Sequence, residues 1–408
     1  MQLLKEWNDF WFAKKSPGPL GLFRIAIGCI FVFWGLLTAP PNLYIWYSER
    51  GVMPLSFYTM YKGSQVEISL LNSVSDPKMV FAAWIAFLIF AVLFAAGFCT
   101  RIFGFLLFIM YLSFNNRDPL ILNSGDSLLR CILFLLVLSP CGASCSVDRL
   151  IAIARGHDAG GDPENVELWT QRLLQIQLAL VYCATVVSKI SGRDWLNGTA
   201  VYFPLHMDEL TRYPLPSFLY LPWATNILTW GTLVCESCLA TFIWMRRARP
   251  YVLTAGVMLH SGIEYALNIP LFSLIMCTTY VNFIYNEWLE NGVSALSRSF
   301  ARYRLALTLP AGVSESDRWW RVIERMDVFR LLQLREVDGN SVPNLSVSGR
   351  GWDSIDAEAV RRILLCLPAL WMLSPVLAIP ATARFLTPFL PHPSSSCEPA
   401  EVSISSAN

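Results

Sequence analysis

The stretch LGLFRIAIGCIFVFWGLLT, from Leu20 to Thr38, decides the fold class, because it carries one charged residue, Arg24, over a length that crosses a bilayer as a helix. The whole chain shares this composition, with 54% hydrophobic and 15% charged residues among 408. Soluble globular proteins carry roughly 25% charged residues, so this chain has too few polar groups to cover its apolar surface. The composition excludes an ordinary cytoplasmic protein and predicts a multi-pass helical membrane protein.

Further apolar segments of this kind follow along the chain, and we predict that each crosses the membrane as a helix. The predicted spans are Leu20–Thr38, Met79–Phe98, Ile102–Phe114, Asp126–Leu138, Leu173–Ser188, Trp223–Trp244, Tyr251–Leu267 and Leu271–Ile284. The third and fourth are short, but a bundle helix can extend into polar flanking residues that a neighbour satisfies. The predicted fold class is an all-α polytopic membrane bundle of about eight transmembrane helices.

Basic residues orient this bundle, because Lys and Arg accumulate in short cytoplasmic loops. With the N-terminus inside, the arginines beside the span ends fall in the cytoplasm: Arg101, Arg149, Arg155, Arg172, Arg246, Arg247 and Arg249. An even number of spans then places the C-terminus in the cytoplasm as well. Met1–Ser16 combines aromatic residues with lysines, which predicts an interfacial helix on the membrane surface. We expect an integral protein of the plasma membrane or an inner membrane.

Net charge and cysteine usage narrow the expected partners. The net charge is +1 (Lys+Arg 31, Asp+Glu 30), which leaves no basic field for a nucleic acid and makes membrane lipid the expected partner.

The 11 cysteines are an odd count and most lie in predicted spans, so no disulfide framework is expected. Cys235 and Cys238 form a CxxC within the sixth span. Redox activity is one interpretation of this motif, and packing inside the bundle is the favoured one.

A small α/β tail on the cytoplasmic side is predicted after the eighth apolar segment, where charged and aromatic residues alternate. Ser316–Met326 is typical of a helix, Val328–Val337 of a strand and Asp338–Arg350 of a turn. The apolar run Ile363–Leu386 is broken by three prolines, so we do not count it as a span. The Ser/Pro-rich end, Pro391–Asn408, is predicted to be disordered.

Polar residues recur on one face of the fifth span. Gln175, Tyr182 and Lys189 stand seven residues apart and therefore share a helix face, which inside lipid must point into the bundle. A lysine desolvated at the edge of a hydrophobic cavity loses its charge more readily and becomes a usable base. Lys189 is therefore a candidate general base. The alternative is that it anchors the helix at the headgroups, which is the commoner fate of a terminal lysine.

The seventh span carries a second polar face, on which His260, Glu264 and Asn268 stand four residues apart. Two metal ligands at helical spacing is one interpretation of His260 and Glu264, but no third ligand supports it. We therefore predict no metal and a hydrogen bond between these two side chains.

Polar residues also surround the turn between the third and fourth spans. Asn115, Asn116 and Arg117 close the third span, and Asp126 opens the fourth. A polar hairpin turn and a ligand-binding group are both open interpretations. With the N-terminus inside, these residues lie in the same outer half of the bundle as Lys189 and the stripe on the seventh span. The sequence therefore predicts one polar cavity that opens to the outside.

Five ordered motifs in the bundle carry a family resemblance. They are LGLFRIAIGCI (Leu20–Ile30), FNNRDPLILNSGDSLLR (Phe114–Arg130), PCG followed by SVD (Pro140–Asp148), QIQLALVYCATVVSKISGRDWLNGTAV (Gln175–Val201) and LHSGIEYALNIPLFS (Leu259–Ser273). Together they resemble the HTTM family, the membrane proteins related to the vitamin K-dependent gamma-glutamyl carboxylase. The similarity covers roughly residues 1–290, and it implies a helical membrane fold of that family.

The resemblance also implies an activity. In the carboxylase, a lysine before an aspartate-tryptophan pair deprotonates reduced vitamin K, and oxygenation of the hydroquinone makes the strong base that removes a glutamate proton. The segment SKISGRDW places Lys189 at that lysine, with one extra residue before the pair Asp194 and Trp195. His260 and Asn268 similarly match a polar helix near the cavity of the family. The resemblance thus implies a lyase or quinone epoxidase that uses reduced vitamin K or another quinone as cofactor.

Two departures weaken the match to the carboxylase itself. Arg117 stands where the carboxylase has a histidine that contacts the quinone, and its large luminal domain has no counterpart in 408 residues. A quinone-type or other lipid-soluble substrate is therefore implied more strongly than glutamate carboxylation. A non-catalytic lipid-binding or transport module of the same fold is the alternative. Beside the catalytic candidates Lys189 and His260, the expected substrate-binding residues are Asn115, Asn116, Arg117, Asp126, Tyr182, Trp195, Glu264 and Asn268.

The tail carries a second resemblance. ERMDVFRLLQLREVD (Glu324–Asp338) and AEAVRRILLCLPALWMLSPVLAIPATARFL (Ala357–Leu386) resemble the later half of a DCC-type thiol-disulfide oxidoreductase domain, a thioredoxin-like unit. Its Asp-x-x-Cys-x-x-Cys motif should fall near Leu309–Asp317, which has no cysteine, and no other side chain replaces a thiolate in disulfide exchange. We expect three regions: a transmembrane domain (1–290), a degenerate, redox-inactive DCC-like domain (291–390) and a disordered tail (391–408).

Overall fold

The computed structural model describes residues 1–37, 42–62, 68–72, 74, 76–157, 166–167, 169–310, 318–337, 345–349, 352–367 and 378–382. The chain divides into two compact units. The first comprises Met1–Asp148 and Asp162–Asn286, and the second comprises Arg149–Gly161 and Glu287–Asn408. The predicted disorder of 391–408 lies outside the described residues.

The first unit is helical. In chain order its helices are α1 (Gln2–Phe12), α2 (Gly18–Leu37), α3 (Asn42–Tyr47), α4 (Leu55–Lys62), α5 (Pro77–Ala96), α6 (Thr100–Arg117), α7 (Ser124–Leu138), α8 (Val147–Ala154, which continues into the second unit), α9 (Trp169–Ile190), α10 (Arg193–Leu196), α11 (Tyr202–Leu205), α12 (Pro222–Thr241), α13 (Arg249–Ala266) and α14 (Phe272–Thr279). Short 3-10 turns include Pro119–Ile121, Ser217–Tyr220, Phe242–Trp244 and Tyr280–Phe283. A two-residue ladder pairs β1 (Lys14–Lys15) with β2 (Val166–Glu167).

Four helical segments of the described chain are long and apolar enough to cross a membrane. They are α2, α5, α9 and Pro222–Trp244, which is α12 with the 3-10 turn after it, and their mean hydropathies are 2.2, 2.7, 1.6 and 1.4. The other predicted spans lie on α6, α7, α13 and α14, which are shorter or more polar. Length and composition therefore support a membrane protein with four candidate spans rather than the predicted eight.

Helices α2 and α5 form the centre of the first unit. Gly28 allows their backbones to approach closely, since a Cβ at this position would lie 2.7 Å from the Cα atom of Ala95. Two turns further along α2, the indole N–H of Trp84 donates to the Gly35 carbonyl (2.8 Å). Phe31 packs edge-on against Tyr111 of α6, with ring centroids 4.9 Å apart. This contact joins the helix pair to the rest of a buried aromatic core.

Arg24, the single charge in the first apolar stretch, is fully buried. Its Nη1 donates to the Cys141 carbonyl (2.8 Å), and its Nη2 donates to the carbonyls of Cys145 (2.5 Å) and Ala95 (3.4 Å). Buried charge is tolerated in an apolar interior only when hydrogen bonds replace water. Arg24 therefore fastens α2 to the end of α5 and to the loop before α8.

The second unit contains a four-stranded mixed sheet. Its strands are β3 (Leu305–Pro310), β4 (Leu332–Val337), β5 (Ser346–Gly349) and β6 (Trp352–Ile355), and its further helices are α15 (Asn286–Ser299), α16 (Arg318–Met326) and α17 (Asp356–Cys366). The strand order is β4-β3-β5-β6, with β3 parallel to β4 and the other neighbours antiparallel. Leu307, Val347 and Ile363 are buried together in its core.

The sequence predicted this unit in outline, with two corrections. The predicted strand Val328–Val337 begins only at Leu332, because both Asp327 carboxylate oxygens accept backbone N–H groups, those of Leu331 (2.8 Å) and Leu332 (2.7 Å), and hold a turn before it. The predicted turn Asp338–Arg350 contains β5, whose small polar residues alternate with the buried Val347. Residues 338–344 and 350 lie outside the described residues.

The described residues of the apolar run Ile363–Leu386 belong to the second unit. Its first residues, from Ile363, complete helix α17 on the sheet, and Leu367 is buried against the same core. Residues 368–377 and 383–386 of this run lie outside the described residues.

Candidate functional site

An ion pair between α9 and α12 forms the centre of the candidate site. The ammonium group of Lys189, at the end of α9, donates to Oε1 of Glu236. The Thr185 hydroxyl, one turn earlier on α9, donates to Oε2 of the same carboxylate (3.2 Å). The Lys189 side chain is 20% exposed, whereas that of Glu236 is 8% exposed. The amine is thus the accessible end of a pair whose carboxylate is covered.

Trp195 covers one side of this amine. Helix α10 follows α9 after a short turn and brings the Trp195 ring to 4.9 Å from Lys189 Nζ. The indole N–H of Trp230, on α12, donates to the Leu196 carbonyl (3.3 Å) and holds α10 against the helix that carries Glu236. The aromatic face stabilises the ammonium by a cation–π interaction.

A second polar group lies two turns earlier on α9, in the buried interior of the bundle. The Tyr182 hydroxyl of α9 hydrogen-bonds to Nε2 of His260 on α13 (2.9 Å) and to the hydroxyl of Tyr280 (2.6 Å). All three residues are buried. Gly256 makes room for this chain, because a Cβ there would lie 2.5 Å from the Tyr280 hydroxyl. Three helical elements thus meet at a single tyrosine oxygen.

The two groups form one polar cluster, which we call the α9 cluster: Tyr182, Lys189, Glu236, His260 and Tyr280. Tyr182 and Lys189 lie on the same face of α9, as the seven-residue spacing predicts. The Thr185 hydroxyl, which lies between them on α9, is within hydrogen-bond distance of both Glu236 Oε2 (3.2 Å) and the Tyr182 carbonyl (3.0 Å). The structure therefore brings together the predicted residues Lys189, His260, Tyr182 and Trp195.

The predicted hydrogen bond between His260 and Glu264 is wrong. Glu264 instead forms an ion pair with Arg212, in the segment between α11 and α12. This segment runs beside the end of α13, where the Asn268 N–H donates to the Leu210 carbonyl (2.6 Å). His260 and Glu264 share a face of α13, but Glu264 pairs with Arg212 because that residue lies on the loop packed beside this face. No group of three or more metal-ligating side chains occurs among the described residues.

The polar residues between α6 and α7, which we call the hairpin (residues 115–126), bind backbone groups. The Asn116 side-chain amide donates to the Ile68 carbonyl (2.9 Å). Arg117 donates to the Met53 carbonyl (2.9 Å), and its guanidinium lies 5.4 Å from the centroid of the Tyr58 ring. These contacts hold the segments before α5 against the end of α6.

Asp126 caps a helix within the same hairpin. Its Oδ2 accepts the Asn123 N–H (2.8 Å) while the Asn123 side chain accepts the Gly125 N–H (2.7 Å), so the two residues form the reciprocal capping box of α7. Asp126 Oδ1 accepts the Tyr111 hydroxyl (2.8 Å). In the described chain no hydrogen bond or ion pair links the hairpin to the α9 cluster. Among the described residues, the buried side-chain atoms of the hairpin without a hydrogen-bond partner are both amide atoms of Asn115, Nε and Nη2 of Arg117 and Oδ2 of Asp118.

Gln175, the first residue of the predicted α9 stripe, also supports the fold. Its Nε2 donates to the Asn282 carbonyl (2.6 Å), as does Nε2 of Gln171 (3.0 Å). The two amides fasten the 3-10 turn that contains Tyr280. Gln175 therefore positions one end of the Tyr182–Tyr280 hydrogen bond without joining the α9 cluster.

Sequence reasoning missed Glu236 and Tyr280. Glu236 lies between Cys235 and Cys238, where the CxxC spacing is the more conspicuous motif. An acidic residue inside an apolar span is nevertheless a functional signal by itself. Both cysteines are free thiols on one helix. Tyr280 gave no signal in the sequence, because a tyrosine at the end of an apolar helix is common at membrane interfaces.

Comparison with known proteins identifies the first unit. The family model for the HTTM domain matches residues 12–288. An uncharacterized protein of Bacillus subtilis (strain 168), YitO, is 28% identical over 109 residues, which is 26% of this chain and 35% of that protein. The chain therefore matches about a third of that relative's length. No solved structure matches the chain.

Proposed function

Since the chain belongs to the HTTM-domain family, we propose that it is an integral membrane enzyme that removes a proton from a quinone-type or other lipid-soluble substrate. The observation that carries this proposal is the ion pair between Lys189 and the buried Glu236, adjoining the hydrogen-bonded chain through Tyr182. A buried ion pair contributes little to stability because desolvation offsets its attraction. Ionisable groups inside a membrane bundle accordingly mark functional sites.

The pair accepts one proton in total. The Lys189 ammonium donates to the Glu236 carboxylate, and transfer of that proton leaves a neutral amine beside a protonated carboxyl. The Lys189 amine then takes a proton from an acidic hydroxyl at Nζ, and the substrate anion forms beside the restored ammonium. Lys189 is the proposed base and Glu236 the final proton acceptor.

We propose that a flat aromatic ligand binds beside the pair. Nδ1 of His260 is buried without a hydrogen-bond partner among the described residues, so it is available to a ligand oxygen. The Phe272 ring lies 5.7 Å from the His260 ring, and Trp195 covers Lys189 Nζ. A reduced quinone supplies an acidic hydroxyl and, as its anion, reactivity toward oxygen. We propose that Lys189 and His260 contact the reacting oxygens and that Tyr182 and Trp195 position the ring.

A non-catalytic lipid-binding or transport module is the second candidate, and Arg117 favours it. Arg117 stands at the position of the family histidine that contacts the quinone, but it is 1% exposed and donates to the Met53 carbonyl. It does not replace that histidine. Under this alternative the α9 cluster binds a lipid-soluble ligand without proton transfer.

Mass spectrometry distinguishes the two candidates. The purified chain in lipid nanodiscs is analysed for co-purifying lipids and then incubated with a reduced naphthoquinone and oxygen. We expect oxygen-dependent formation of the quinone epoxide that exceeds the rate in empty nanodiscs. Bound but unchanged quinone supports the module and contradicts the enzyme.

We further propose that α6, α7, α13 and α14 complete an eight-span bundle with both termini in the cytoplasm. Arg246 and Arg247 then lie inside and the end of α9 lies outside, which places the α9 cluster at an outward cavity. Cysteine labelling of intact cells tests the orientation. A cysteine introduced at Asn197 should react with an impermeant maleimide and one at Ala248 should not, and the reverse pattern contradicts the orientation.

The second unit is proposed to be a degenerate DCC-like domain. Its strand order β4-β3-β5-β6, with one parallel pair and α16 between the paired strands in sequence, is the arrangement of a thioredoxin-like sheet. The position expected for the active cysteines, Leu309–Asp317, contains none. In an insulin-reduction assay with dithiothreitol we expect the chain to give the uncatalysed rate, and a catalysed rate contradicts this assignment.

A further inference from the structure

Helix α1 leaves its apolar side chains uncovered. Leu3, Leu4 and Trp7 are 82%, 72% and 61% exposed, and the helix buries no residue. Its last turn is nevertheless fixed to the bundle, because the Phe10 carbonyl accepts a hydrogen bond from Arg172 Nε (3.0 Å). An amphipathic helix held beside a candidate membrane span, with its apolar residues free, is suited to the headgroup region of a bilayer.

Arginines surround the point where α1 meets the bundle. The Arg172 guanidinium lies 4.8 Å from the Phe10 ring centroid, and the Phe10 ring lies 6.4 Å from that of Trp244. The Trp244 carbonyl accepts a hydrogen bond from Nη2 of Arg249 (3.3 Å). The Phe10 ring and the Trp244 backbone therefore place Arg172 and Arg249, from α9 and α13, near the end of α1.

Two further cations, Lys15 and Arg246, accompany Arg172 and Arg249. Arg246 and Arg249 both lie over the Tyr285 ring, at 4.8 and 4.4 Å from its centroid. Burial, and then the charges of Arg172 and Arg249, lower the pKa of Lys15. The β1–β2 ladder holds Lys15 three residues after the end of α1, and Arg172 contacts Phe10 in the last turn of that helix, so Lys15 and Arg172 lie at the same end of α1. We call Lys15, Arg172 and Arg249 the basic group.

Within the part of the chain that the structure describes, no carboxylate balances the charges of Lys15, Arg172 and Arg249. Among the described residues, no ion pair is formed by Lys15, Arg172 or Arg249, and the two arginines donate to backbone carbonyls and to Gln175. Nη2 of Arg172 makes no hydrogen bond to any residue that the structure describes. Lys14 differs, since it stands opposite Glu167 in the β1–β2 ladder. Successive side chains of a strand point to opposite faces, so Lys14 and Lys15 face different surroundings.

We propose that the basic group binds the phosphate of an anionic phospholipid whose acyl chains lie along the exposed apolar residues of α1. An arginine with a free Nη2 and an accessible lysine ammonium supply donors for phosphate oxygens. The buried Arg249 contributes its charge to the site. The apolar residues beside the cations select a lipid over a soluble phosphate, because only a lipid satisfies both surfaces.

The full chain, purified in a neutral detergent, is titrated with short-chain phosphatidylglycerol, with short-chain phosphatidylcholine and with inorganic phosphate, and binding is read by native mass spectrometry and by the shift in Tm. Phosphatidylglycerol should bind at least about fivefold tighter than phosphatidylcholine, and its affinity should fall as salt rises. Equal affinity for the two lipids, or inorganic phosphate binding as tightly as phosphatidylglycerol, overturns the proposal.

Two neighbouring lysines provide a matched pair of variants. Lys15→Gln should weaken phosphatidylglycerol binding about fivefold, the loss expected for one cation at a lipid headgroup. Lys14→Gln should leave it unchanged. Equal losses from the two variants contradict the assignment of the site. If Lys15→Gln does not fold, the salt dependence of the unmodified chain decides: affinity for phosphatidylglycerol that is insensitive to salt overturns the proposal.

Discussion

The α9 cluster and the hairpin contain similar residues and use them differently. In the hairpin, Asn116 and Arg117 donate to backbone carbonyls, and Asp126 completes a capping box. In the α9 cluster the side chains of Lys189 and Glu236 bind each other across two helices. Polar groups that satisfy backbone atoms hold a fold in place, whereas a connected set of titratable side chains can transfer a proton.

The largest expected effect lies in the α9 cluster. Lys189→Ala should lower quinone turnover at least about a hundredfold, because it removes the proposed base. Because the change also leaves the covered Glu236 carboxylate without its ion-pair partner, turnover is expressed per folded molecule, with membrane insertion and far-ultraviolet circular dichroism as the measures of folding. Lys78→Ala, at the start of α5, is the control for a lysine at a helix end. Normal turnover by Lys189→Ala contradicts the base assignment.

The hairpin should show the opposite behaviour. Arg117→Ala removes the hydrogen bond to the Met53 carbonyl and the contact with Tyr58, and should destabilise the chain by about 2 kcal/mol. The folded fraction should keep its turnover. Thermal unfolding followed by turnover per folded molecule measures both, with Arg117→Lys as the variant that keeps the charge. A folded Arg117→Ala protein without turnover would contradict this prediction and would show that Arg117 belongs to the functional site.

Two hydroxyl deletions compare the regions directly. Tyr182→Phe removes the hydrogen bonds to His260 and Tyr280 and should reduce turnover roughly tenfold. Tyr111→Phe removes one hydrogen bond to Asp126 in the hairpin and should cost about 1 kcal/mol of stability with turnover retained. Steady-state rates and Tm of the two variants are sufficient for this comparison. Equal losses of turnover would show that the two regions do not differ in function.

The smallest effect is expected at a solvent-facing carboxylate outside both regions. Hydrogen bonds from Arg361, and then Arg362, lower the pKa of Glu358 from 4.5 to about 2. A lowered pKa stabilises the folded unit above the unfolded pKa, and this contribution is lost as pH falls from about 4.5 toward 2. Hydrogen exchange of α17 in Glu358→Gln should therefore be faster than in the unmodified chain at pH 6. A difference that persists unchanged at pH 2 contradicts this linkage.

Periodicity predicted one part of the α9 cluster and missed the other. Tyr182 and Lys189 repeat on one helix, so their shared face can be read from spacing alone. Glu236 has no such repeat on α12, and its role depends on which helix packs against it. That contact joins residues 47 positions apart in the sequence, and a single sequence holds no signal for it.

The hairpin shows a second limit of sequence reasoning. Arg117 and Asn116 resemble ligand-binding residues in the sequence because their partners, the carbonyls of Met53 and Ile68, belong to the backbone. Every residue has a carbonyl, so composition cannot identify which one an arginine will bind. By contrast, the apolar segments determine where the long helices lie, and α2, α5 and α9 coincide closely with the predicted spans.

A double-mutant cycle of Lys189 and Glu236 tests the central claim that the two residues act as one proton acceptor. Quinone turnover is measured in nanodiscs for Lys189→Ala, for Glu236→Gln and for the combined variant. Residues that act as a unit are strongly non-additive. Each single variant should lose nearly all turnover, and the combined variant should lose no more. Single losses whose factors multiply in the combined variant would contradict it, because the two side chains would then act independently.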